Sequence, residues 1–240
     1  ITAAHMSAKI DPISAGRIVN KAISLGASLA GIVSAEKVFN APSYRVGNEV
    51  PLPEDVRSFI ILALEHGEDD PYLDWWDGNR GTEGNRRLVD ISKQLRKWLK
   101  SQYGIKSYDV HYHVEKGGIL LKDAAVLAGL GVIGKNNLLI TSRFGPRIRL
   151  RAVGVNAVLM PADYRIDFSP CKNCDAPCLT ACPQNAFRSG KYDRGLCKAK
   201  LQKDETKKAV LKNVGTMHYA GVRIKYCRKC ELACTVGKHA

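Results

Sequence analysis

All eight cysteines of this 240-residue chain lie in its C-terminal third, and their spacing constrains the fold more than any other feature. The pattern is Cys-x2-Cys-x3-Cys-x3-Cys-Pro, then a single cysteine, then Cys-x2-Cys-x3-Cys. A Cys-x2-Cys turn lets two thiolates reach one metal centre, and a 4Fe–4S cluster is held by four thiolates. The pattern therefore predicts two 4Fe–4S clusters with no cysteine left over.

The cysteine before proline decides how the ligands are shared. In two-cluster ferredoxins that cysteine leaves its own run and ligates the other cluster, so Cys182 is expected to do the same here. One predicted ligand set is Cys171, Cys174, Cys178 and Cys234, and the other is Cys182, Cys197, Cys227 and Cys230. Paired zinc sites and disulfides are the alternatives, and the Cys-Pro ending favours clusters over zinc. The three residues Asp175-Ala176-Pro177 exceed the usual two between the second and third cysteines.

The net charge of +14 is concentrated near the C-terminus. Residues 143–240 hold 20 Lys and Arg against 7 Asp and Glu, whereas residues 1–142 hold 17 against 16. Such an excess can face phosphates, or it can be a solubilising surface that attracts acidic redox partners. A low-potential electron donor such as a ferredoxin or a flavodoxin is the expected partner.

The sequence predicts a cytoplasmic protein that is not in a membrane. No apolar run reaches the roughly 18 residues that a spanning helix needs, and no basic segment followed by an apolar stretch opens the chain. In a reducing compartment, clustered cysteines are more often metal ligands than disulfides.

Helical and strand patterns alternate along the first part of the chain and predict an α+β fold. Helices are expected after Asp11-Pro12, from Thr82-Glu83 to Gly104, and over residues 119–129. Strands are expected at Leu29–Ser34, Val56–Leu64, 105–115 and Arg147–Leu159. A loop is expected at Asn40–Pro53. The composition changes near Tyr164–Pro170, where cysteine, proline and lysine replace the strand pattern. The predicted domains are therefore an α/β sandwich over residues 6–165, which binds cofactor and substrate, and a double-cluster domain over residues 166–240.

A glycine-rich segment before the cysteines indicates a ligand site. It reads Ala128-Gly129-Leu130-Gly131-Val132-Ile133-Gly134-Lys135-Asn136-Asn137 and is followed by Arg143-Phe144-Gly145-Pro146. Three glycines within six residues let a backbone pass close to a large ligand. A helix end and a tight turn are the alternative explanation, and they account for Gly129 or Gly131 more easily than for all three glycines.

These motifs together resemble the epoxyqueuosine reductases, a family related to the reductive dehalogenases. The resemblance implies a nitroreductase-like cobalamin domain joined to a ferredoxin-like domain with two 4Fe–4S clusters. Cobalamin is the first expected cofactor and flavin the second, held by Gly129, Gly131, Gly134, Lys135, Asn136 and His113. The helical-repeat segment that follows the clusters in that family, and is used there in tRNA binding, is expected to be absent because the sequence ends at Ala240.

The resemblance also implies a catalytic carboxyl group. Glu115 matches the family's catalytic aspartate, and Gly118 stands where the family has proline. Glu115 would donate a proton, a role that suits a partly buried carboxyl group. On a strand, His111, His113 and Glu115 would share one face; that face could be a polar wall of an active site, a metal site or a solvated surface.

The function predicted from the sequence is an oxidoreductase that relays electrons through both clusters to a cofactor in the N-terminal domain, for reduction of an unidentified substrate. Two alternatives remain open at this stage. One is an electron-transfer activator that reduces a separate corrinoid protein, and the other is a tRNA-modifying reductase of the epoxyqueuosine type.

Overall fold

A computed structural model describes residues 9–10, 12–41, 52–67, 73–160, 167–211 and 221–238. The chain divides into two compact units, each made of several segments. The first comprises Ile1–Leu64, Leu88–Gly131 and Leu150–Asp167, and the second comprises Glu65–Arg87, Val132–Arg149 and Phe168–Ala240. All eight cysteines lie in the second unit. Asp11, most of the predicted loop at Asn40–Pro53 and Tyr164 lie outside the described residues, and the division into 6–165 and 166–240 stays a prediction.

Helices and strands follow one another as the mixed fold class requires. In chain order up to residue 140 they are β1 (Lys9–Ile10), α1 (Pro12–Ser24), β2 (Leu29–Ser34), α2 (Ala35–Phe39), β3 (Ser58–Glu65), α3 (Glu83–Tyr103), β4 (Ser107–Asp109), α4 (Leu121–Leu127), β5 (Val132–Ile133) and β6 (Leu139–Ile140). The remaining elements are β7 (Ile148–Val155), β8 (Val158–Leu159), α5 (Pro177–Thr180), α6 (Arg194–Glu205), β9 (Lys208–Leu211), β10 (Gly221–Ile224) and α7 (Lys229–Leu232).

A four-stranded sheet in the order β2-β3-β7-β4 forms the centre of the first unit. β2 pairs antiparallel with β3, with Leu29 opposite Ala63, and β4 pairs antiparallel with β7. Seven of the eight residues of β3 are buried. A strand covered on both faces is expected to be a nearly continuous apolar run, and the sequence Ser-Phe-Ile-Ile-Leu-Ala-Leu-Glu fits that position.

Helix α3 packs one apolar stripe into the core of the first unit. Leu88, Ile91, Leu95 and Leu99 recur at helical spacing and are at most 5% exposed. The helix begins where the buried Thr82 hydroxyl accepts a hydrogen bond from the Asn85 amide at 3.1 Å, which satisfies one of the amides that a helix start leaves unpaired. It ends at Gly104, whose φ of 64° is favourable for glycine. The predicted helix is confirmed at both ends.

The predicted strand over residues 105–115 is mostly wrong. Strand pairing stops at Asp109, and Val114–Lys116 form a 3-10 turn that ends at Gly117 with φ of 82°. The reason is local, because the His111 Nδ1 atom accepts a hydrogen bond from the His113 amide at 3.0 Å. A side chain that bonds a nearby backbone amide competes with ladder pairing.

The long strand predicted over Arg147–Leu159 is broken into β7 and β8. Between them, the Asn156 side chain accepts a hydrogen bond from the Lys106 amide at 3.0 Å, and the Asn156 amide donates to the Lys106 carbonyl at 3.1 Å. These two bonds tie Asn156 to the residue just before β4, and β7 ends at Val155.

The second unit contains short helices, as the composition predicts, and two small hairpins. β5 pairs with β6 and β9 pairs with β10, both antiparallel. The β9–β10 hairpin was not predicted. No helix in the described ranges is long and apolar enough to cross a membrane.

Candidate iron–sulfur site

Four thiols converge on Cys178 in the second unit. Burial raises the pKa of Cys178, and the nearby thiols of Cys234, Cys171 and Cys174 raise it further. The cavity beside these four cysteines is also lined by Pro170, Ala176, Pro177, Val236, Lys135, Asn136 and Ile140. Like charges held this close disfavour ionisation, and bound iron would remove that penalty by coordinating the thiolates.

The other four thiols converge on Cys230. Burial raises the pKa of Cys230 to about 12, with further contributions from Cys227, Cys197 and Cys182. Tyr192 lies at the edge of this group, where burial and a hydrogen bond with Cys197 raise the pKa of its hydroxyl. The structure therefore brings the eight cysteines together in two groups of four, and Cys182 lies with the second group.

Each group supplies the donor set of a 4Fe–4S cluster, namely four thiols. The two ligand sets predicted from the spacing stay predictions. Among the described residues, which include all eight cysteines, no group of three or more His, Cys, Asp or Glu side chains is arranged to hold a single metal ion. In particular, the side chains of His111, His113 and Glu115 do not form a metal site in this structure.

The inserted Asp175-Ala176-Pro177 segment shapes the turn around Cys174. Ala176 has φ of 55°, a left-handed conformation that is uncommon outside glycine. This conformation directs the Ala176 amide at the Cys174 sulfur, at 3.4 Å. In the second group, the Ala186 amide lies 3.4 Å from the Cys182 sulfur. Each group therefore has a backbone donor aimed at a thiol.

Arg147 anchors the segment that carries Cys234. Its side chain is buried, its Nη1 atom donates to the Cys234 carbonyl at 3.2 Å, and its Nη2 atom donates to the Val236 carbonyl. A Cβ atom at Gly145 would lie 2.0 Å from that same Val236 oxygen, so only glycine fits there. The Arg-Phe-Gly-Pro turn thus holds the last cysteine in place.

Two residues predicted to bind a cofactor contact cysteine-bearing segments instead of open space. The buried Asn136 donates from Nδ2 to the Cys230 carbonyl at 3.3 Å, and its Oδ1 accepts from the Leu138 amide at 3.2 Å. The exposed Lys135 donates from Nζ to the Cys174 carbonyl at 3.2 Å. The Gly-Lys-Asn part of the glycine-rich segment therefore reaches both groups of thiols.

A buried ionic network beside Cys230 was not found from the sequence. Burial, followed by the positive charges of Arg228 and Arg149, lowers the pKa of His66 to about 2. Arg228 pairs with Asp74 at 3.1 Å and with Glu231, and it donates to the His66 carbonyl at 2.9 Å. Nothing in the local pattern around these residues distinguishes them from an ordinary charged surface.

Asp204 is a second residue that the sequence did not single out. It is 5% exposed and accepts a hydrogen bond from the Cys227 amide at 3.0 Å, while Lys200, one turn earlier on α6, pairs with it. Hydrogen-bond and ion-pair partners offset the cost of burying such a polar side chain. Asp204 therefore fixes the start of the last cysteine run to α6.

The remaining predicted site residues lie in solvent or have local structural roles. The side chains of His113 and Glu115 are 51% and 62% exposed and lie 3.6 Å apart, so the partial burial expected for Glu115 is absent. Gly129 has φ of 77° just after α4, where a helix end favours glycine. A Cβ atom at Gly134 would lie 2.7 Å from the Ile140 side chain. The cofactor contacts expected at Gly129, Gly131 and Gly134 stay predictions.

A mixed helix-and-sheet chain with two groups of four thiols has the thiol ligands that two 4Fe–4S clusters need. No family model matches the chain. The epoxyqueuosine reductase of Pseudomonas aeruginosa is 31% identical to it over 191 residues, which are 79% of this chain and 49% of that protein. The epoxyqueuosine reductase of Synechocystis is 34% identical over 107 residues, which are 45% of this chain and 35% of that protein. The chain thus spans about half or less of these relatives' length.

Solved structures show the same likeness in the fold. Epoxyqueuosine reductase from Bacillus subtilis has a TM-score of 0.64 and 19% identity, over 93% of this chain and 65% of that one. The Streptococcus thermophilus enzyme has a TM-score of 0.65 and 20% identity, over 93% and 66%. A reductive dehalogenase described with B12-dependent dehalogenation has a TM-score of 0.58 and 21% identity, over 76% and 27%. The resemblance predicted from the sequence is confirmed, as is a mixed helix-and-sheet fold of this kind.

Proposed function

We propose that this chain is a cytoplasmic iron–sulfur oxidoreductase that relays electrons through two 4Fe–4S clusters to cobalamin for the reduction of a substrate. The observation that carries the proposal is the gathering of eight thiols into two groups of four, around Cys178 and Cys230. The finer architecture proposed is a nitroreductase-like cofactor domain joined to a ferredoxin-like double-cluster domain. A ferredoxin or a flavodoxin would supply the electrons.

The eight cysteines would hold the clusters in the sets already described. A 4Fe–4S cluster, when bound, takes up and releases one electron at low potential. The rest of the chain orients the ligands: Arg147 and Asn136 fix the carbonyls of Cys234 and Cys230. The amides of Ala176 and Ala186 face two of the sulfurs, and such donors stabilise the more negative, reduced form.

Cobalamin is the first choice of second cofactor and flavin the second choice. The support for cobalamin is indirect: the structural neighbours include a reductive dehalogenase described in terms of B12. Gly129 and Gly131 would let the ligand approach the backbone, and His113 and Glu115 would face it with an imidazole and a carboxyl group. The Glu115 side chain is open to solvent.

Anaerobic reconstitution tests the proposal. We expect about eight iron and eight sulfide ions per chain, because each group of four thiols takes one cluster. Absorbance spectra recorded with and without added cobalamin or flavin then identify the second cofactor. About four iron ions, or stoichiometric zinc, would contradict the two-cluster proposal, and binding of flavin alone would remove cobalamin from it.

Two other functions have specific support. Both curated relatives are named epoxyqueuosine reductase, and one structural neighbour is bound to an epoxyqueuosine-modified tRNA stem loop. A tRNA-modifying reductase of that type predicts loss of the epoxide from modified tRNA under reducing conditions. The other is an activator that reduces a separate corrinoid protein, and it predicts two clusters but no binding of cobalamin or flavin by this chain.

A further inference from the structure

Five cations surround one open groove in the first unit. The groove has a volume of about 480 Å³ and is lined by Lys93, Arg96, Lys97, Lys100, Gly104, Ile105, Lys106 and Ser107. We call it the α3 groove. No Asp or Glu occurs between Ile91 and Tyr108 in the sequence. The groove also lies outside the basic segment 143–240, so the uneven charge of the chain does not account for it.

The helix itself aligns four of these cations. Residues 93, 96, 97 and 100 recur at helical spacing on α3, so they form one stripe about 10 Å long. The opposite stripe, which contains Leu95 and Leu99, is fully buried in the core. The core therefore fixes which way the cations point.

Much of this positive charge is not neutralised by the protein. Lys97 and Lys100 are exposed and form no ion pair with any described residue. Lys93 lies 3.8 Å from Asp90, and Lys106 lies 3.1 Å from Asp55, but both pairs are on the surface, where such pairs contribute little.

Arg96 is the least exposed of the five cations. It donates from Nη2 to the Ser107 carbonyl at 3.2 Å, and its buried Nε atom has no hydrogen-bond partner in the described part of the chain. This contact holds the guanidinium between the helix and the turn that closes the groove. A fixed guanidinium suits phosphate oxygens, which it can bind in a bidentate manner.

We propose that the α3 groove binds the phosphate backbone of a nucleic-acid strand. A concave surface with a line of cations follows a chain of phosphates, and a stripe of about 10 Å can contact more than one of them. An acidic electron donor is the rival occupant. The binding test below separates the two occupants. The proposal does not depend on the redox function proposed above.

The test is binding of a fluorescein-labelled 20-nucleotide oligouridylate to the full chain, followed by fluorescence anisotropy between 50 and 300 mM KCl. Replacing Lys97 and Lys100 together by Gln removes two phosphate contacts. The plot of log affinity against log salt has a negative slope, which should become shallower by about 1.4. At 0.1 M salt this change corresponds to about a 25-fold loss of affinity. Both side chains are exposed, so the circular dichroism spectrum should not change.

Lys207 and Lys208 provide the matched control. Both are exposed and lie in the second unit, and replacing both by Gln removes the same charge. The control variant should keep the wild-type slope. Equal losses in both variants, a loss in the control alone, or no binding by the wild type at 50 mM KCl would each overturn the proposal. Binding of an acidic flavodoxin through Lys97 and Lys100, without binding of the oligonucleotide, would assign the groove to a protein partner instead.

Discussion

Asn136 offers the sharpest test of how the glycine-rich segment works. In the structure its side chain joins the Cys230 carbonyl to the Leu138 amide, at 3.3 and 3.2 Å, and it is 3% exposed. Replacing Asn136 by Ala removes both bonds without adding bulk. If the residue acts as a structural bridge, the change should destabilise the protein before any cofactor is added.

The size of this effect follows from the two groups left without partners. An unsatisfied buried donor or acceptor costs about 1–3 kcal/mol. Because Leu138 and Cys230 are only partly buried, the lower limit applies to each, which gives about 2 kcal/mol in total. For a chain of this size, that free energy lowers the melting temperature by about 4–8 °C.

Lys135 is the matched control because it is the neighbouring residue and also bonds a cysteine carbonyl. Its side chain is exposed, so Lys135→Ala should change the stability by no more than about 0.5 kcal/mol. Calorimetry of the metal-free protein measures both variants, and iron analysis after reconstitution should show less iron in the Asn136 variant. The structural bridge would be refuted if the Asn136→Ala protein had the melting temperature of the wild type. It would also be refuted if Lys135→Ala lowered the melting temperature as much as Asn136→Ala does.

Three further predictions concern pH, the clusters and the second cofactor. His66 has a pKa of about 2 in the folded protein and about 6.5 when unfolded, so only the unfolded chain gains this proton as the pH falls. Stability should therefore decrease below pH 6.5, by about 2 kcal/mol at pH 5, and His66→Gln should flatten that part of the pH profile. Cys182→Ala should remove the cluster held around Cys230 while the other remains visible by EPR. Gly131→Val should abolish cobalamin binding with both clusters intact, whereas Glu115→Gln should keep cofactor and clusters but slow turnover, because only the transferable proton is lost.

Each of these predictions has a result that would contradict it. An unchanged slope of stability against pH in the His66 variant would place the acid sensitivity elsewhere. Loss of the Cys178 cluster in the Cys182 variant would mean that Cys182 serves its own run. Unimpaired cobalamin binding by the Gly131 variant would leave the glycine-rich segment with a purely structural role.

Elements with strong local signals could be predicted from the sequence. β2 has the predicted bounds, Leu29–Ser34, and α3 begins at Glu83 and ends just before Gly104, as predicted. β2 is a short apolar run of strand length, whereas in α3 the apolar residues recur at helical spacing between residues suited to a start and a stop. The packing of the core then agrees with the local preference.

The strand expected over residues 105–115 shows where local reading fails. Alternating Val110, Tyr112 and Val114 have the period of a strand, but the bond between His111 and the His113 amide turns the chain away from the sheet. The consequence reaches the site. With no strand beyond Asp109, Glu115 lies on an exposed 3-10 turn. The three polar side chains are still neighbours, since the His111 and His113 rings are 5.6 Å apart and His113 lies 3.6 Å from Glu115, but no strand holds them on one face.

The cysteine groups and their supports differ in how far apart their parts lie in the sequence. Cys-x2-Cys spacing is local, and its chemistry can be predicted from the count alone. The supports join residues 87 positions apart in Arg147–Cys234, 94 apart in Asn136–Cys230 and 162 apart in Arg228–His66. No periodicity or spacing links such pairs, so one sequence cannot reveal them. They nevertheless give the glycine-rich segment a physical connection to the proposed clusters: its Lys and Asn side chains bind the backbone of the segments that carry the ligands. A substitution there should therefore change how firmly iron is held, even though none of these residues ligates it.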